Sequence, residues 1–384
     1  MKRVILTGAG GFIGAHCIKY WMDTQPDWEI ICLDSFRNKG YISRLCEAMR
    51  ACAMDANVPL TQLLTETNRL KIFTHDLTVP IDQPLENLIL GRKLDDRGVV
   101  TEKPIDIIIN MASDSAVERS TTDPTHCLRN NYDLMVNMLE FARRIKPKVF
   151  IQISTDEVYG EAPPLPSPGH KEWSTIMPSN PYAASKAAQE ALAISYWRTY
   201  DLPLVLTNCM NIIGEWQDPE KFLPKIIQFV AQSKEMPVYA DRVMTAENAN
   251  HSETVDPLGN AGVVNWYIGS RVYLDARNKA DALAFISKRP VARYSQGAKQ
   301  PDRYNICGDT ELNNLEMAQK VAKIMNRDLK YKLVPSESAR PGYDRRYALD
   351  GSKLRSLGWT QPYTFDQTLG RIVNWTLQNH HWLA

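Results

Sequence analysis

Val4-Ile5-Leu6-Thr7-Gly8-Ala9-Gly10-Gly11-Phe12-Ile13-Gly14 reads as a short strand, a glycine-rich turn and the start of a helix. Val4 to Leu6 is a continuous apolar run, as expected of a strand buried on both faces. Ala15-His16-Cys17-Ile18-Lys19-Tyr20-Trp21-Met22 continues it as helix. Strand, glycine turn and helix in this order make a dinucleotide cradle. Glycine permits the turn and lets the backbone approach a pyrophosphate seated on the helix N-terminus. Gly8, Gly11 and Gly14 follow a GxxGxxG spacing with Gly10 extra, so the backbone of Gly8, Gly11, Phe12, Ile13 and Gly14 is the expected phosphate contact. A glycine cluster alone is more often only a turn. The next strand strengthens the reading, because Ile30-Ile31-Cys32-Leu33 ends in Asp34. An acid there accepts hydrogen bonds from the adenosine ribose and repels a 2′-phosphate, which favours NAD over NADP, although Arg37 and Lys39 lie close by.

Working outward, Lys71-Ile72-Phe73 leads to His75-Asp76-Leu77, a strand end placed to flank the adenine with Asp76 and Leu77. Ile105-Asp106-Ile107-Ile108-Ile109 ends in Asn110-Met111-Ala112-Ser113, with Ala112 expected at the cofactor and Ser113 at the substrate. Val149 to Ile153 is a further buried strand. Amphipathic helix patterns over 131–145 and a run of helix formers over 183–200 alternate with these strands, which implies an α/β fold with a doubly wound parallel (Rossmann) sheet. Residues 38–70 read as an amphipathic helical excursion and 91–104 as a loop insertion. Residues 239–269, polar and rich in Asn, Asp and Gly, read as a long loop or hairpin. The character changes after residue 207, so the expected division is interleaved. Residues 1–207 with about 266–290 form the NAD-binding domain; residues 208–265 with 291–384 form a smaller α/β substrate-binding lobe.

The chemistry concentrates at Ser154-Thr155-Asp156-Glu157-Val158-Tyr159-Gly160, directly after the Val149 strand. Strands of open α/β sheets present their carboxyl ends to the ligand crevice. Two adjacent acids at that rim are costly to desolvate, so folding alone explains them poorly. Tyr182 and Lys186, four apart at a helix start, share a face. A hydroxyl (Thr155), two carboxyls, a phenol and an ammonium thus converge, while Tyr159 is expected only to pack.

Composition narrows the classes. Lys+Arg 45 against Asp+Glu 44 in 384 residues gives a net charge of +1, with no basic block for nucleic acid. Seven cysteines without CxxC pairs imply reduced thiols in a cytoplasmic protein, and no metal site is expected. No apolar run is long enough to cross a membrane, and the first one is too short for a signal peptide.

Taken in order, Thr7-Gly8 to Gly14, Asp34, Ser154 to Gly160, Tyr182-x-x-x-Lys186, Pro219-Glu220-Lys221 and Arg340-Pro341-Gly342 to Tyr347 resemble the extended short-chain dehydrogenase/reductase family nearly end to end. Within it the chain looks most like the nucleotide-sugar 4,6-dehydratases, because the family's epimerases carry small or hydroxylated residues where Asp156-Glu157 stand here. The resemblance implies oxidation of a nucleoside-diphosphate hexose at C4, elimination across C5–C6 and hydride return to C6. It implies Tyr182 as base toward the C4 hydroxyl, its pKa lowered by Lys186 and the nicotinamide. Thr155 would hydrogen-bond that oxygen, Glu157 take the C5 proton and a protonated Asp156 serve the leaving C6 hydroxyl. Asn211, Glu220, Lys221, Arg271, Asn305, Arg340 and Tyr343 would bind sugar and pyrophosphate. A homodimer through a helical face is the expected assembly.

Ala116 and Tyr343 stand where dTDP-glucose-specific members carry histidine, and Met210-Asn211-Ile212-Ile213-Gly214 is less polar than their counterpart. These departures touch the sugar and nucleotide contacts and leave the proton and hydride machinery unchanged. Two other readings stay open: a nucleotide-sugar C4 epimerase or decarboxylase, and a non-catalytic dinucleotide sensor, against which the retained Tyr182/Lys186 pair speaks.

Overall fold

The computed structural model describes residues 1–37, 39–50, 68–243, 265–336 and 342–383. Its centre is a seven-stranded sheet. In chain order its first strands are β1 (Lys2–Thr7), β2 (Trp28–Asp34) and β3 (Leu70–Thr74); a hairpin of β4 (Lys93–Leu94) and β5 (Val100–Thr101) stands outside it. Next come β6 (Ile107–Asn110), β7 (Val149–Ile153) and β8 (Leu204–Cys209), and β14 (Asp302–Ile306) joins later. The spatial order is β14-β8-β7-β6-β1-β2-β3, with every neighbouring pair parallel.

The apolar runs are continuous because alternate residues feed two different cores. Val4, Leu6, Ile30, Cys32, Ile107, Ile109 and Ile151 face one side, where they meet α1 (Phe12–Thr24) and α2 (Ile42–Arg50). Ile5, Ile31, Leu33, Ile108, Phe150, Leu204 and Leu206 face the other, with α3 (Gln83–Leu90), α5 (Pro124–Ile145) and α6 (Pro181–Tyr200); the short α4 (Val117–Thr122) precedes α5. Each such branched side chain contributes about 1.5–3 kcal/mol by leaving water, which makes a strand buried on both faces strongly favoured. Helix α8 (Ala276–Ser287) returns the chain to the first core, where the indole N–H of Trp21 donates to the Ala280 carbonyl at 2.8 Å.

The second lobe has its own core around Ile213, Leu223, Ile227, Val238, Met317, Val321, Leu369 and Val373. It is built from α7 (Phe222–Ala231), α9 (Asn314–Ile324) and α11 (Phe365–Gln378) against small sheets. β10 (Met236–Val243) lies between β11 (Asn265–Ile268) and β16 (Tyr331–Pro335). β12 (Ser270–Val272) lies between β15 (Glu311–Asn313) and β17 (Arg346–Tyr347), and β9 (Ile212–Ile213) pairs with β13 (Leu274–Asp275). These elements interleave with the first lobe in sequence.

Three expectations need correction or completion. Residues 302–306, assigned to the second lobe, form the edge strand of the main sheet, and α10 (Ser352–Ser356) places Leu354 in the first core. Tyr304 and Ile306 lie buried in that core, so the segment's two apolar residues find more cover against β8 than a free loop would give. The 91–104 insertion is not structureless, since Lys93–Leu94 pairs with Val100–Thr101. The 239–269 hairpin is formed at its base, where β10 runs antiparallel to β11; 244–264 and the helical reading at 51–67 lie outside the described residues. Among the described residues no helix is long and apolar enough to cross a membrane, and the described cysteines are unpaired.

One buried ion pair ties α6 to the late edge strand: Arg303 donates to Glu190, and both side chains are almost fully buried. Glu190 also accepts from Asn208 Nδ2 at 2.9 Å. Removing one partner of such a pair strands the other charge without solvent. Glu190→Ala is expected to lower unfolding stability by about 3–5 kcal/mol in urea titration, and a loss below 1 kcal/mol would show that Arg303 finds another partner.

Candidate active site

The strand order reverses around β1 and β6, and the loops leaving these two strands diverge into the crevice there. Gly8 has φ +71°, a left-handed conformation, and a Cβ built on it would come within 2.9 Å of the Ala112 Cα. The two loops therefore touch at a point where only hydrogen fits. Thr7 Oγ1 accepts from the amides of Met111 and Ala112 at 2.9 and 3.0 Å, locking the contact. Gly11 caps α1 without any side-chain hydrogen bond, and first-turn N–H groups have no intrahelical acceptor. Asp34 accepts from the amides of Gly10 and Phe36 at 2.7 and 2.8 Å; burial nevertheless pushes its pKa up. Leu77 is buried, while Asp76 accepts from Arg37 and Thr78. This set fits a dinucleotide: a cradle only glycine can line, free amides for phosphate, and an acid carrying spare lone pairs where the ribose hydroxyls would lie.

The acids occupy a short helical turn, Asp156–Tyr159, after β7. Thr155 caps it, accepting from the Glu157 amide at 3.3 Å and donating to Asp156 Oδ1 at 2.9 Å. Asp156 Oδ2 is buried without a partner. Burial first, then the charge of Glu157, raises the Asp156 pKa to about 8, so this carboxyl is protonated at neutral pH. Glu157 is only partly buried and accepts from Asn180 Nδ2 at 2.9 Å, an arrangement that suits a carboxylate. Asn180 also caps α6, accepting from the Ala183 amide at 2.9 Å. One asparagine thus fixes both the helix start and the carboxylate.

Tyr182 and Lys186 follow on that helix. Burial, then Glu157, raises the Tyr182 pKa well above its usual value, opposite to the expected lowering. The cause is clear: the phenol faces two acids, so any depression has to come from cations placed beside it. Lys186 is fully enclosed, its Nζ donating to the Ile153 carbonyl at 2.6 Å and to Gln189 Oε1 at 2.8 Å; burial and the nearby Lys279 bring its pKa down to about 8. Tyr159 packs as expected, with its hydroxyl donating to the Glu172 carbonyl.

The expected substrate residues divide. Ser113 lies at the loop after β6, half-buried. Asn211 adopts φ +35° with its Nδ2 buried and unpartnered, a strained and unsatisfied donor of the kind found at ligand sites. Arg271 is stacked on Tyr347 at 4.1 Å and on Tyr343 at 5.3 Å and is near enough to Asp156 to oppose its pKa rise. Glu220 pairs with Lys39, which lies near Lys221. Asn305 is buried, its Nδ2 donating to the carbonyls of His170 and Asp350 at 2.9 and 3.2 Å, while its Oδ1 is buried without a hydrogen-bond partner. Two arginines downstream of Arg340 are already engaged by acids. Arg346 forks onto Glu311 and Arg345 bridges Glu161 and Asp241, because acids reach both guanidinium groups. Arg340 lies outside the described residues. Sequence reasoning missed Asn180, although an Asn-Pro pair opening a helix signals a cap, and it missed Gln189, which carries no local signal.

Glycine cradle, ribose acid, Tyr–Lys helix and paired acids on one sheet rim define a dinucleotide-binding enzyme of the short-chain dehydrogenase/reductase class. The chain belongs to the NAD dependent epimerase/dehydratase family, whose model matches residues 4–307. It is 26% identical to a dTDP-glucose 4,6-dehydratase of Escherichia coli over 99% of this chain and 94% of that one. It is 28% identical to a trifunctional UDP-glucose 4,6-dehydratase/UDP-4-keto-6-deoxy-D-glucose 3,5-epimerase/UDP-4-keto-L-rhamnose-reductase of Arabidopsis thaliana over 99% of this chain, yet spans only 48% of that relative's length. The crystal structure of DesIV, a dTDP-glucose 4,6-dehydratase from Streptomyces venezuelae with NAD and TYD bound, superposes with a TM-score of 0.73 at 26% identity, covering 99% of this chain and 98% of that one.

The Asp156 shift has a signed consequence. A carboxyl whose folded pKa of about 8 exceeds its unfolded value of 3.8 favours folding least above the higher value. Relative to Asp156→Asn, the parent should lose thermal stability progressively from pH 4 to about 8 and then level off. Parallel Tm profiles for the two proteins would place the Asp156 charge in water instead.

Proposed function

We propose that this protein is an NAD-dependent nucleotide-sugar 4,6-dehydratase, converting a nucleoside-diphosphate hexose to its 4-keto-6-deoxy product. The observation that carries the reading is the inequality of two neighbouring acids: Asp156 buried and protonated, Glu157 hydrogen-bonded by Asn180 and suited to carry the charge. An elimination needs one group to take a proton and another to give one, and burial supplies that division here.

The roles follow from position. Tyr182 takes the proton of the C4 hydroxyl, assisted by the positive charge of Lys186, while Thr155 hydrogen-bonds the same oxygen. The Gly8–Gly14 turn, Asp34, Ala112 and Lys186 would hold NAD, which when bound would supply the acceptor for the C4 hydride and its return to C6. The new 4-keto group acidifies the C5 hydrogen, which Glu157 removes. Asp156 delivers its proton to the departing C6 hydroxyl, so one water leaves; return of the hydride to C6 and of the Glu157 proton to C5 then completes the 4-keto-6-deoxy product. Ser113, Asn211, Arg271 and Tyr343 face the sugar nucleotide, and Lys221 with Glu220 lies at the entrance. Exposed Leu128, Tyr132 and Tyr200 on α5 and α6 give a helical face for a second copy, and we infer a homodimer in the cytoplasm.

Incubation with dTDP-glucose, UDP-glucose, UDP-N-acetylglucosamine and GDP-mannose should give, for one of them, a product lighter by one water. A product of unchanged mass would mean epimerisation, and binding without turnover of any would mean a sensor. With the accepted substrate, Tyr182→Phe should abolish oxidation at C4. Glu157→Gln should still oxidise C4 yet lower dehydration by about 100-fold or more, the ordinary scale of a lost general base; parent-like dehydration would remove Glu157 from its role.

A further inference from the structure

Helix α6 turns Ser185, Lys186, Gln189 and Glu190 toward the sheet, all buried. Four polar side chains on a face that could have been apolar cost stability unless each is hydrogen-bonded. Glu190 is used by Arg303, and Ser185 accepts from Asn131 Nδ2 at 2.8 Å. Gln189 is fully buried and belongs to a chain of oriented amides. Thr7 Oγ1 donates to Asn110 Oδ1 at 2.9 Å, Asn110 Nδ2 to Gln152 Oε1 at 2.8 Å, and Gln152 Nε2 to Gln189 Oε1 at 3.1 Å. Gln189 Nε2 in turn donates to the Asn131 carbonyl at 2.7 Å. With its nitrogen fixed there and its oxygen fixed by Gln152, Gln189 presents Oε1 to the Lys186 ammonium at 2.8 Å and has no other orientation that satisfies its neighbours.

We propose that Gln189 is a positioning residue that holds Lys186 in its charged form and aims it, with the Gln152–Asn110–Thr7 chain fixing the orientation of its amide from the glycine-turn strand. The proposal rests on the reading of Lys186 as the cation that serves Tyr182. Lys186 needs such support. It sits in a dry site, and Lys279 of α8 presses a second positive charge on it. Glu190 of its own helix opposes that pressure, and Cys209 on β8 and Cys127 on α5 face Lys186 as well but would add to that opposition only as thiolates. Tyr182, on the same helix, faces Glu157, Asp156 and the same two thiols. Two oxygen acceptors, Ile153 O and Gln189 Oε1, bind the ammonium directly, and each favours its charged form.

The test is the titration of Lys186 itself in the full-length protein, followed by NMR with ε-carbon-labelled lysine and assigned with Lys186→Met. The parent should titrate near pH 8. Gln189→Met keeps the volume and removes the acceptor, so the midpoint should fall by roughly 1–2 pH units, the equivalent of one hydrogen bond to a charged group. Gln189→Glu keeps an acceptor and adds negative charge, so the midpoint should rise. A merely structural role would move folding in both variants without opposite titration shifts. An unmoved midpoint in Gln189→Met, or shifts of the same sign in both variants, would overturn the proposal. If Gln189→Met does not fold, Gln189→Glu decides alone, and a midpoint at or below the parent's overturns it. Because this readout needs no turnover, opposite shifts in a protein that dehydrates no sugar nucleotide would count against the functional reading and leave the Gln189 role standing.

Discussion

Charge held out of water at the carboxyl rim of a parallel sheet is the constraint on which the rest of this molecule depends. Lys186 and Asp156 are both enclosed, and burial drives their pKa values toward each other, to about 8 in each case. A lysine brought down and an aspartic acid brought up are both poised close to physiological pH, where a proton is exchanged at least cost. Neither shift would exist on a flexible loop in solvent. Each requires a sheet with two buried faces, helices packed on both, and a loop turn short enough to keep Asp156 next to Glu157.

The fold supplies this through two structural economies. Placing β1 and β6 side by side brings the Gly8 turn against Ala112, so the glycine turn and the loop after β6 share one contact. Starting α6 at Asn180 lets one amide cap the helix and hold Glu157 together. The second lobe adds Arg271, whose guanidinium is sandwiched by Tyr343 and Tyr347 and fastened to the carbonyls of Ser270, Asp344 and Arg345. Those contacts fix the guanidinium in one orientation, which would reduce the entropy lost if it binds the sugar nucleotide as proposed.

Much of this was legible from residues alone, and for reasons that can be stated. Continuous apolar runs such as Ile107 to Ile109 announce strands buried on both faces, and the glycine spacing and Asp34 fix where a dinucleotide lies. Asp156-Glu157 and Tyr182/Lys186 stand out because polar side chains at a sheet rim have few structural excuses. What stayed hidden is long-range pairing. Nothing near Tyr304-Asn305-Ile306 says that it lies beside β8, since parallel edge strands carry no turn signal linking them to their partners. Arg345 and Arg346 look like phosphate ligands until the fold brings Glu161, Asp241 and Glu311 to them. Gln189 is unremarkable in sequence because its meaning comes from Gln152, thirty-seven positions earlier, on another element. The setting of Tyr182 was likewise hidden, since adjacency to Lys186 was visible but its closeness to two acids was not.

In the proposed reaction one enclosed site keeps the hydride of C4 while two unequal acids remove water across C5 and C6. The most direct test is to supply the accepted sugar nucleotide with deuterium at C4 and locate the label in the product by mass spectrometry and NMR. The expected product is short of one water and retains the deuterium at C6. Deuterium returned to C4 in a product of undiminished mass would contradict it.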